Sequence, residues 1–460
     1  MTRFALYPND AGVTLLDEQR IVYRQPGYAH LSGSDLSLGN KAFQQARIDP
    51  RGIQHRYWSE LSVEPLPDRQ FEHLSSADLV SRQLEELWAE IGGSGHDLVI
   101  AVPGYFSNER LGLLLGIAAD LGIPVAGMVE GPVAATRREY QNAVPVHIEL
   151  GLHSATLTRM GQSGVASAER TEVLDDCGLY AMYDTWLSVV AEAFVQQSRF
   201  DPLHAADTEQ MLLDQLARWM ADASHQSSVV LELNYGGLDH RAEVETLALV
   251  NAVAPIYQTI ASRLRALFRA GDTPALQVTD RVARLPGLSE QLKARVGGEV
   301  FSLEAGATAR GALARLRDVS PGSGAVSLRR QLPWDQAAFS VDAAVSEESS
   351  AGAPTHLLFH HTAYPIGDTP LVLGSQPGAG GNGDDRPVTL DGEMPGLSRR
   401  HCSLSISGGK CVIEDHSRYG TFLNGYRISG STVLQVGDNL RVGSPGFEFL
   451  LITTDDSHGA

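Results

Sequence analysis

The segment GLSRRHCSLSI at 396–406, followed by IEDHSRYGTFLNG at 413–425, constrains the fold of this chain more than any other. CSLSIS (402–407) and KCVIED (410–415) alternate apolar and polar residues, and Gly408-Gly409 between them suits a tight hairpin turn. Further short strands fit HLLFHH (356–361), PLVLG (370–374), PVTL (387–390) and TFLNG (421–425), then TVL, NLRVG and FEFLLIT. Strands this short, spaced by Gly, Asp, Asn and Ser turns over about a hundred residues, predict a β-sandwich.

The rest of the chain has a different rhythm. FALYP, VTLLDE and RIVYR read as paired strands broken at Asn9-Asp10 and Asp17-Glu18. DLVSRQLEELWAEI (78–91) carries Leu84, Leu87, Trp88 and Ile91 on one stripe of a helix. DLVIAVPGYF (97–106) is a buried strand stopped by Pro103, with a helix expected over 107–121, and GIPVAGMVEGPVAATRREY repeats that alternation. VHIELGLHSATLTRMG (146–161) reads as a hairpin, a helical tract fills 184–222, and a further helix is expected over about 242–270. ALQVTDRVARLPGLSEQLKARV gives strand, loop and helix again, and LEAGATARGALARLR (303–317) closes the region as a small-residue helix. The alternation predicts α/β layers, with parallel strands covered by helices. Residues 319–354 are small, polar and acidic, the composition of a flexible linker. The expected organisation is therefore an α/β body over 1–318, a linker over 319–354 and a β-sandwich over 355–456.

A formal charge of −19 argues against a general nucleic-acid or anionic-membrane binder, because a phosphate surface would repel the chain. Asp120 and several glycines interrupt the longest apolar region, 111–129, so no membrane span is expected. Three cysteines, Cys177, Cys402 and Cys411, make no disulfide framework, and MTRFALYPND carries no basic-then-apolar leader pattern. These features suggest a cytoplasmic, reducing setting. His153 has no partner at metal-ligand spacing, and Ser107 lacks the G-x-S-x-G elbow, so neither a metal centre nor a hydrolase nucleophile is expected. Leu212, Leu213, Leu216 and Trp219 read as a packing stripe.

VIAVPGYFSNERLGLLLGIAADLGIPVAGMVEGPVAA resembles the segment of DnaK-type heat-shock chaperones that joins a VP-x-YF strand, a long helix and an NEP-x-AA helix start. The order and spacing of VHIELG, the 276–292 segment and AGATARGALA extend the likeness over most of 1–317. The resemblance implies a two-lobed actin-like ATPase fold, in which glycine-rich hairpins cradle phosphate with backbone N–H groups. The residues that would do this chemistry are changed. Leu6 stands where the first hairpin's aspartate belongs, and Pro8, which has no N–H, where its glycine belongs. Gly131 takes the place of the family's catalytic glutamate. The second phosphate hairpin keeps only Glu149 and Gly151, and Asp280-Arg281 replace the paired glycines of the adenosine turn, with Arg284 and Pro286 retained. A shifted register would make Asp10-Ala11-Gly12 the phosphate loop; an ordinary Asn-Asp-Ala-Gly turn accounts for the same residues. The body thus reads as a pseudo-ATPase with no bound cofactor.

GLSRRH and GTFLNG resemble the signature of forkhead-associated domains, sandwiches that read phosphothreonine. The resemblance assigns ligand contacts to Ser398, Arg399, Arg418, Ser375 and Tyr419, with Gly374, His401, Gly420, Thr421, Asn424 and Gly425 as scaffold. His401 is expected to brace its loop rather than touch phosphate. Ser375 replaces an arginine that normally follows the early glycine, so one neutral donor stands where a charged fork stood. Asp384 and Asp385 would repel phosphate if near, while Arg399 and Arg418 would compensate. Two functions follow: a non-catalytic adaptor whose sandwich binds a protein partner, threonine-phosphorylated or not, or a nucleotide-binding ATPase recruited to targets by that sandwich.

Overall fold

The computed structural model describes residues 2–320, 326–335, 354–378, 385–390 and 397–452, apart from positions 19, 34, 94, 360–361, 408–409, 419, 424–425, 429, 435–437 and 444–446. The chain divides into two compact units, residues 1–337 and 338–460. No helix among the described residues is long and apolar enough to cross a membrane.

The first unit opens with an antiparallel meander of β1 (Thr2–Tyr7), β2 (Val13–Leu16) and β3 (Ile21–Gln25). A small sheet follows, with β5 (Asp35–Leu38), β4 (Ala29–Ser32) and β6 (Ile53–Gln54) in that order and α1 (Gly39–Phe43) between its last strands. Helix α2 (Ser76–Glu90) starts at a capping box between Ser75 and Asp78 and buries Leu84, Leu87 and Trp88, so its apolar stripe faces the core as its period demands. Then come β7 (His96–Val102), α3 (Asn108–Asp120), β8 (Val125–Glu130) and α4 (Gly131–Ala135), with β7 parallel to β1 and β8 parallel to β7. Ser107 is the N-cap of α3, accepting from the Arg110 N–H. The resulting strand order is β3-β2-β1-β7-β8.

The second half repeats this plan. A meander of β9 (Val144–Leu150), β10 (Ser154–Gly161) and β11 (Val165–Asp175) is extended in parallel by β14 (Pro274–Val278) and β15 (Glu299–Ser302), giving β11-β10-β9-β14-β15. Between them lie α5 (Leu179–Ser198), α6 (Ala206–Ala223), the hairpin β12 (Ser228–Tyr235) and β13 (Leu238–Glu245), α7 (Thr246–Ala252) and α8 (Ala254–Arg265). Short α9 (Asp280–Ala283) and α10 (Leu288–Val296) separate β14 from β15, and α11 (Ala307–Ala314) and α12 (Leu316–Val319) follow. The parallel strands and covering helices expected from the sequence are present. Leu212, Leu213, Leu216 and Trp219 are buried in the core of this half.

Two expected helices are divided. The tract over 184–222 breaks where Arg199 turns left-handed at the end of α5, just before Pro202. Residues 242–245 belong to β13, because Gly236 and Gly237, both at positive φ, turn the chain back as a hairpin. Pro255 then sits in the first turn of α8 and separates it from α7.

The sequence boundary at 318/319 is also corrected. Residues 326–335, read as linker, form a strap across the body: β16 (Leu328–Arg329) pairs parallel with β8, and β17 (Gln331–Pro333) pairs antiparallel with β11. Leu332 is buried, and Arg137 grips the Asp335 carboxylate through Nε and Nη2 at 2.6–3.2 Å. Arg315, also buried, donates to the carbonyls of Thr136 and Pro333.

The second unit is a sandwich. One sheet has the order β19 (Thr362–Pro365), β18 (His356–Phe359), β28 (Phe447–Ile452), β27 (Asn439–Val442), β24 (Thr421–Leu423), β25 (Tyr426–Arg427). The other runs β21 (Arg386–Thr389), β20 (Leu371–Gly374), β22 (Cys402–Ser407), β23 (Lys410–Asp415), β26 (Ser431–Val433). Their inward residues, among them Leu373, Leu404, Ile413, Leu440 and Phe449, form one core. Cys402 lies opposite Asp415 and Cys411 opposite Ile406, so the two buried thiols do not face each other and both are free.

Candidate functional site

Three loops meet at one end of the sandwich: 375–378 after β20, 397–401 before β22, and 416–420 after β23. Backbone bonds tie the first to the second, from Ser375 N–H to Ser398 C=O (3.1 Å) and from Gln376 N–H to Arg399 C=O (3.0 Å). Gly374 makes this approach possible, because a Cβ there would overlap the Arg399 carbonyl. His401 ties the second loop to the third. Its Nδ1 accepts from the Ser398 N–H at 3.1 Å, which leaves Nε2 protonated to donate to the Gly420 C=O at 3.0 Å. Acceptance at Nδ1 needs the neutral ring, and burial lowers its pKa in keeping with that, against the opposing bond to Gly420. His401 thus bridges the second and third loops.

The third loop has its own clamp. The Asp415 carboxylate accepts from Thr421 Oγ1 (2.7 Å) and Ser417 N–H (3.0 Å), and the Gly420 N–H donates to Ser417 Oγ (2.7 Å). Burial works against this carboxylate, but the bonds from Thr421 and Ser417 outweigh it and hold its pKa below the ordinary value. Gly420 adopts φ +100°, which excludes residues with a side chain at low cost.

On this platform, Ser398 Oγ accepts the Arg418 N–H at 3.2 Å, leaving its hydroxyl proton to give to a ligand. Arg399 and Arg418 are both exposed beside it. Ser375, also part of the platform, is half-buried. Sequence reasoning missed Arg400, which pairs with Asp385 at 2.8 Å and donates to the Pro377 C=O. This corrects the expected repulsion from Asp385, since its charge is already matched; Asp384 lies outside the described residues. Asp415 and Ser417 were also missed, although Asp-His-Ser at a strand end is a recognisable side-chain-capped turn. Tyr419, Asn424 and Gly425 lie outside the described residues.

The second candidate site is the seam between the two halves of the body. Leu6 is a core residue beside Val13, Leu15 and Ile100, not a seam residue, because β1 and β2 pair Leu6 with Leu15. Pro8 begins the turn, and the residues that reach across are its neighbours Asn9 and Asp10. Asn9 donates to Glu149 and to the Leu150 C=O, and Asp10 Oδ1 accepts the Leu152 N–H at 2.8 Å. A Cβ on Gly151 would stand 2.5 Å from that same Asp10 oxygen. Arg281 donates to Asn9 Oδ1 (3.2 Å) and the Leu150 C=O (3.0 Å), with its other nitrogen over Gly12. Asp280 pairs with Arg24 at 2.8 Å, and Arg284 ends the same short helix. At Gly131 a Cβ would crowd the Val102 carbonyl and the Tyr7 ring, so that ring fills the space of a longer side chain.

Burial dominates the electrostatics of this seam. It raises Asp10 against the opposing Leu152 N–H, and pushes Glu149 up to about 7 against the opposing charge of Arg281. Beyond the turn, His55 Nδ1 lies 2.9 Å from His153 Nε2; the two rings stack on each other, and each meets the Tyr180 ring at a tilt. A cavity of about 30 Å³ at the seam is lined by residues including Tyr7, Glu149, Thr279 and Arg281. No group of three or more His, Cys, Asp or Glu among the described residues is placed to hold a metal.

A comparison with curated proteins finds no significant match for the chain. The family model of the FHA domain matches residues 373–443, which hold Gly374, Ser398, His401 and Thr421 and both sheets' site-forming strands. The chain carries an FHA domain, a protein-binding module of the kind that takes phosphothreonine-containing partners.

Proposed function

We propose that this protein is a non-catalytic adaptor that captures a threonine-phosphorylated partner at Ser398, Arg399 and Arg418, and that its body is a pseudo-ATPase. The observation that carries the phosphate reading is the preserved platform under a changed ligand set. Ser375 supplies no charge, yet two exposed arginines adjoin Ser398, Arg399 as its chain neighbour and Arg418 through its backbone N–H, and charge-assisted donors on loops suit a dianion on an extended peptide. The Arg400–Asp385 pair removes a competing anion from the same end.

The reading of the body as a degenerate actin-like fold rests on the five-strand order that its two sheets share and on the likeness to DnaK-type chaperones. Where the resemblance places phosphate, the carboxylate of Asp10 sits on the Leu152 N–H and Arg281 lies over Gly12. A cavity of about 30 Å³ is far below the roughly 300 Å³ of the smallest ordinary ligand pockets. These contacts favour a closed scaffold over a recruited ATPase. A phosphothreonine peptide library screened beside magnesium-ATP calorimetry tests both parts. Peptide capture that is lost in Ser398→Ala and Arg399→Ala, with no heat from nucleotide, is expected. Nucleotide binding would overturn the pseudo-ATPase reading, and capture that ignores both substitutions would overturn the phosphate reading.

A further inference from the structure

Strand β5 pairs with β4 on one side, and among the described residues nothing pairs with its other edge. Beside it runs an open groove of about 730 Å³, bounded by β5, the 71–74 turn and one face of α2. The groove takes in both Asp35 and Leu36. Successive strand residues point to opposite faces, so the groove reaches round the edge of β5 rather than lying over one face.

Its floor is apolar, with Leu31, Phe71 and Leu79 buried and Leu36 and Leu74 half-buried. Its rim is acidic. Asp35, Asp78, Glu85 and Glu86 are exposed there, and the one arginine of the lining, Arg82, is already paired with Glu85 at 2.9 Å. Burial raises the Glu86 carboxyl, Lys41 opposes this, and Glu85 and Glu90 raise it further, so the rim is crowded with like charge. A cation brought to it would relieve that crowding.

We propose that this groove docks an extended, lysine- or arginine-rich segment of a partner protein, which adds as a strand to the free edge of β5. Main-chain bonds to the edge give a peptide affinity, its apolar side chains reach Leu36 and Leu74, and its basic ones meet Asp35 and Glu86. Charge decides between occupants. The chain's own 335–353 segment holds Asp335, Asp342, Glu347 and Glu348 and no lysine or arginine, so it would be repelled. A second copy joined edge to edge would face one acidic rim with another. The protein then has a second docking surface, separate in sequence from residues 373–443 and independent of how the FHA domain reads its ligand.

The test uses the full chain and a fluorescent peptide of alternating lysine and valine, followed by anisotropy at low and high salt. Saturable binding is expected, weakened about tenfold or more in the Asp35→Lys/Glu86→Lys variant and unchanged in Glu232→Lys on β12. The same peptide N-methylated at alternate amides is expected not to bind, because it can no longer donate to a strand edge. Thermal melts establish that both variants fold. Absent binding, equal loss in the Glu232→Lys control, or undiminished binding of the N-methylated peptide would each overturn the proposal.

Discussion

Asp10 accepts a hydrogen bond at 2.8 Å from the backbone N–H of Leu152, on the facing hairpin of the body's other half. The acceptor at this backbone donor is thus a side chain of the protein itself. Gly151 is kept for the same contact, since its missing Cβ is what lets the carboxylate approach. Gly151→Ala is expected to cost about 1–3 kcal/mol, the usual penalty for overpacking a closed site. Asp10→Ala should cost a similar amount by leaving a buried donor unpaired, about 1–3 kcal/mol. Urea melts measure both, and a Gly151→Ala protein as stable as its parent would contradict the closed seam.

Stability should fall on both sides of an optimum in mildly acidic solution. Burial lowers His55, His147 and His153 to about 4. The unfolded chain protonates these rings near pH ~6.5, so the stability they confer is intact above that value and is lost as pH falls toward 4. Glu149 acts oppositely: it ionises near ~4.5 when unfolded but is pushed up to about 7 when folded, so stability is lost as pH rises between those values. Glu149→Gln keeps an acceptor for Asn9 and should melt higher than its parent above pH 7, with little difference near 4.5. His153→Phe keeps the stacked ring and should flatten the acid limb.

In the sandwich, His401→Ala strands the Ser398 N–H and the Gly420 carbonyl and is expected to cost about 2–3 kcal/mol and abolish peptide capture. Gly374→Ala should do the same by driving apart the 375–378 and 397–401 loops. Ser398→Ala and Arg399→Ala should weaken capture without moving the melting temperature, because Arg399 is exposed and Ser398 Oγ holds a single backbone bond. A shared loss of stability in all four would mean that the site residues are structural.

Asp335→Ala removes the carboxylate that Arg137 holds through Nε and Nη2. Amide hydrogen exchange across 328–333 should quicken while β1, β7, β9 and β14 stay protected. Unchanged exchange in the strap would show that strand pairing holds it without the ion pair.

Much of the fold is legible in residue order because period and punctuation agree. The alternation in CSLSIS and KCVIED, the Ser75-to-Asp78 cap and the stripe of α2 all lie where local chemistry puts them. The strap was missed because two-residue β16 and three-residue β17 are too short for any period, and their neighbours are the small polar residues of a linker. The doubled sheet plan leaves no repeat of fixed period in the sequence, because different insertions, a small sheet in one half and α5 to α8 in the other, hide it. In the sandwich, Ser398, Gly374 and His401 could be named from motif spacing. The Arg400–Asp385 pair could not, since spacing alone does not say which loops meet. In the seam, Leu6 lies in the core, and the residues that cross are three and four positions further on, at Asn9 and Asp10.

The strap also sets an order of events during synthesis. One edge strand of each six-stranded sheet of the body comes from residues 328–333, after every other element of the body has been made. Until those residues leave the ribosome, β8 and β11 stay exposed as unpaired edges, the kind of surface that invites wrong partners. The body is therefore sealed from its C-terminal end, while the FHA domain is still being translated. A ribosome stalled shortly before residue 328 would hold an open-edged, protease-sensitive intermediate, and one stalled after residue 335 has emerged would not.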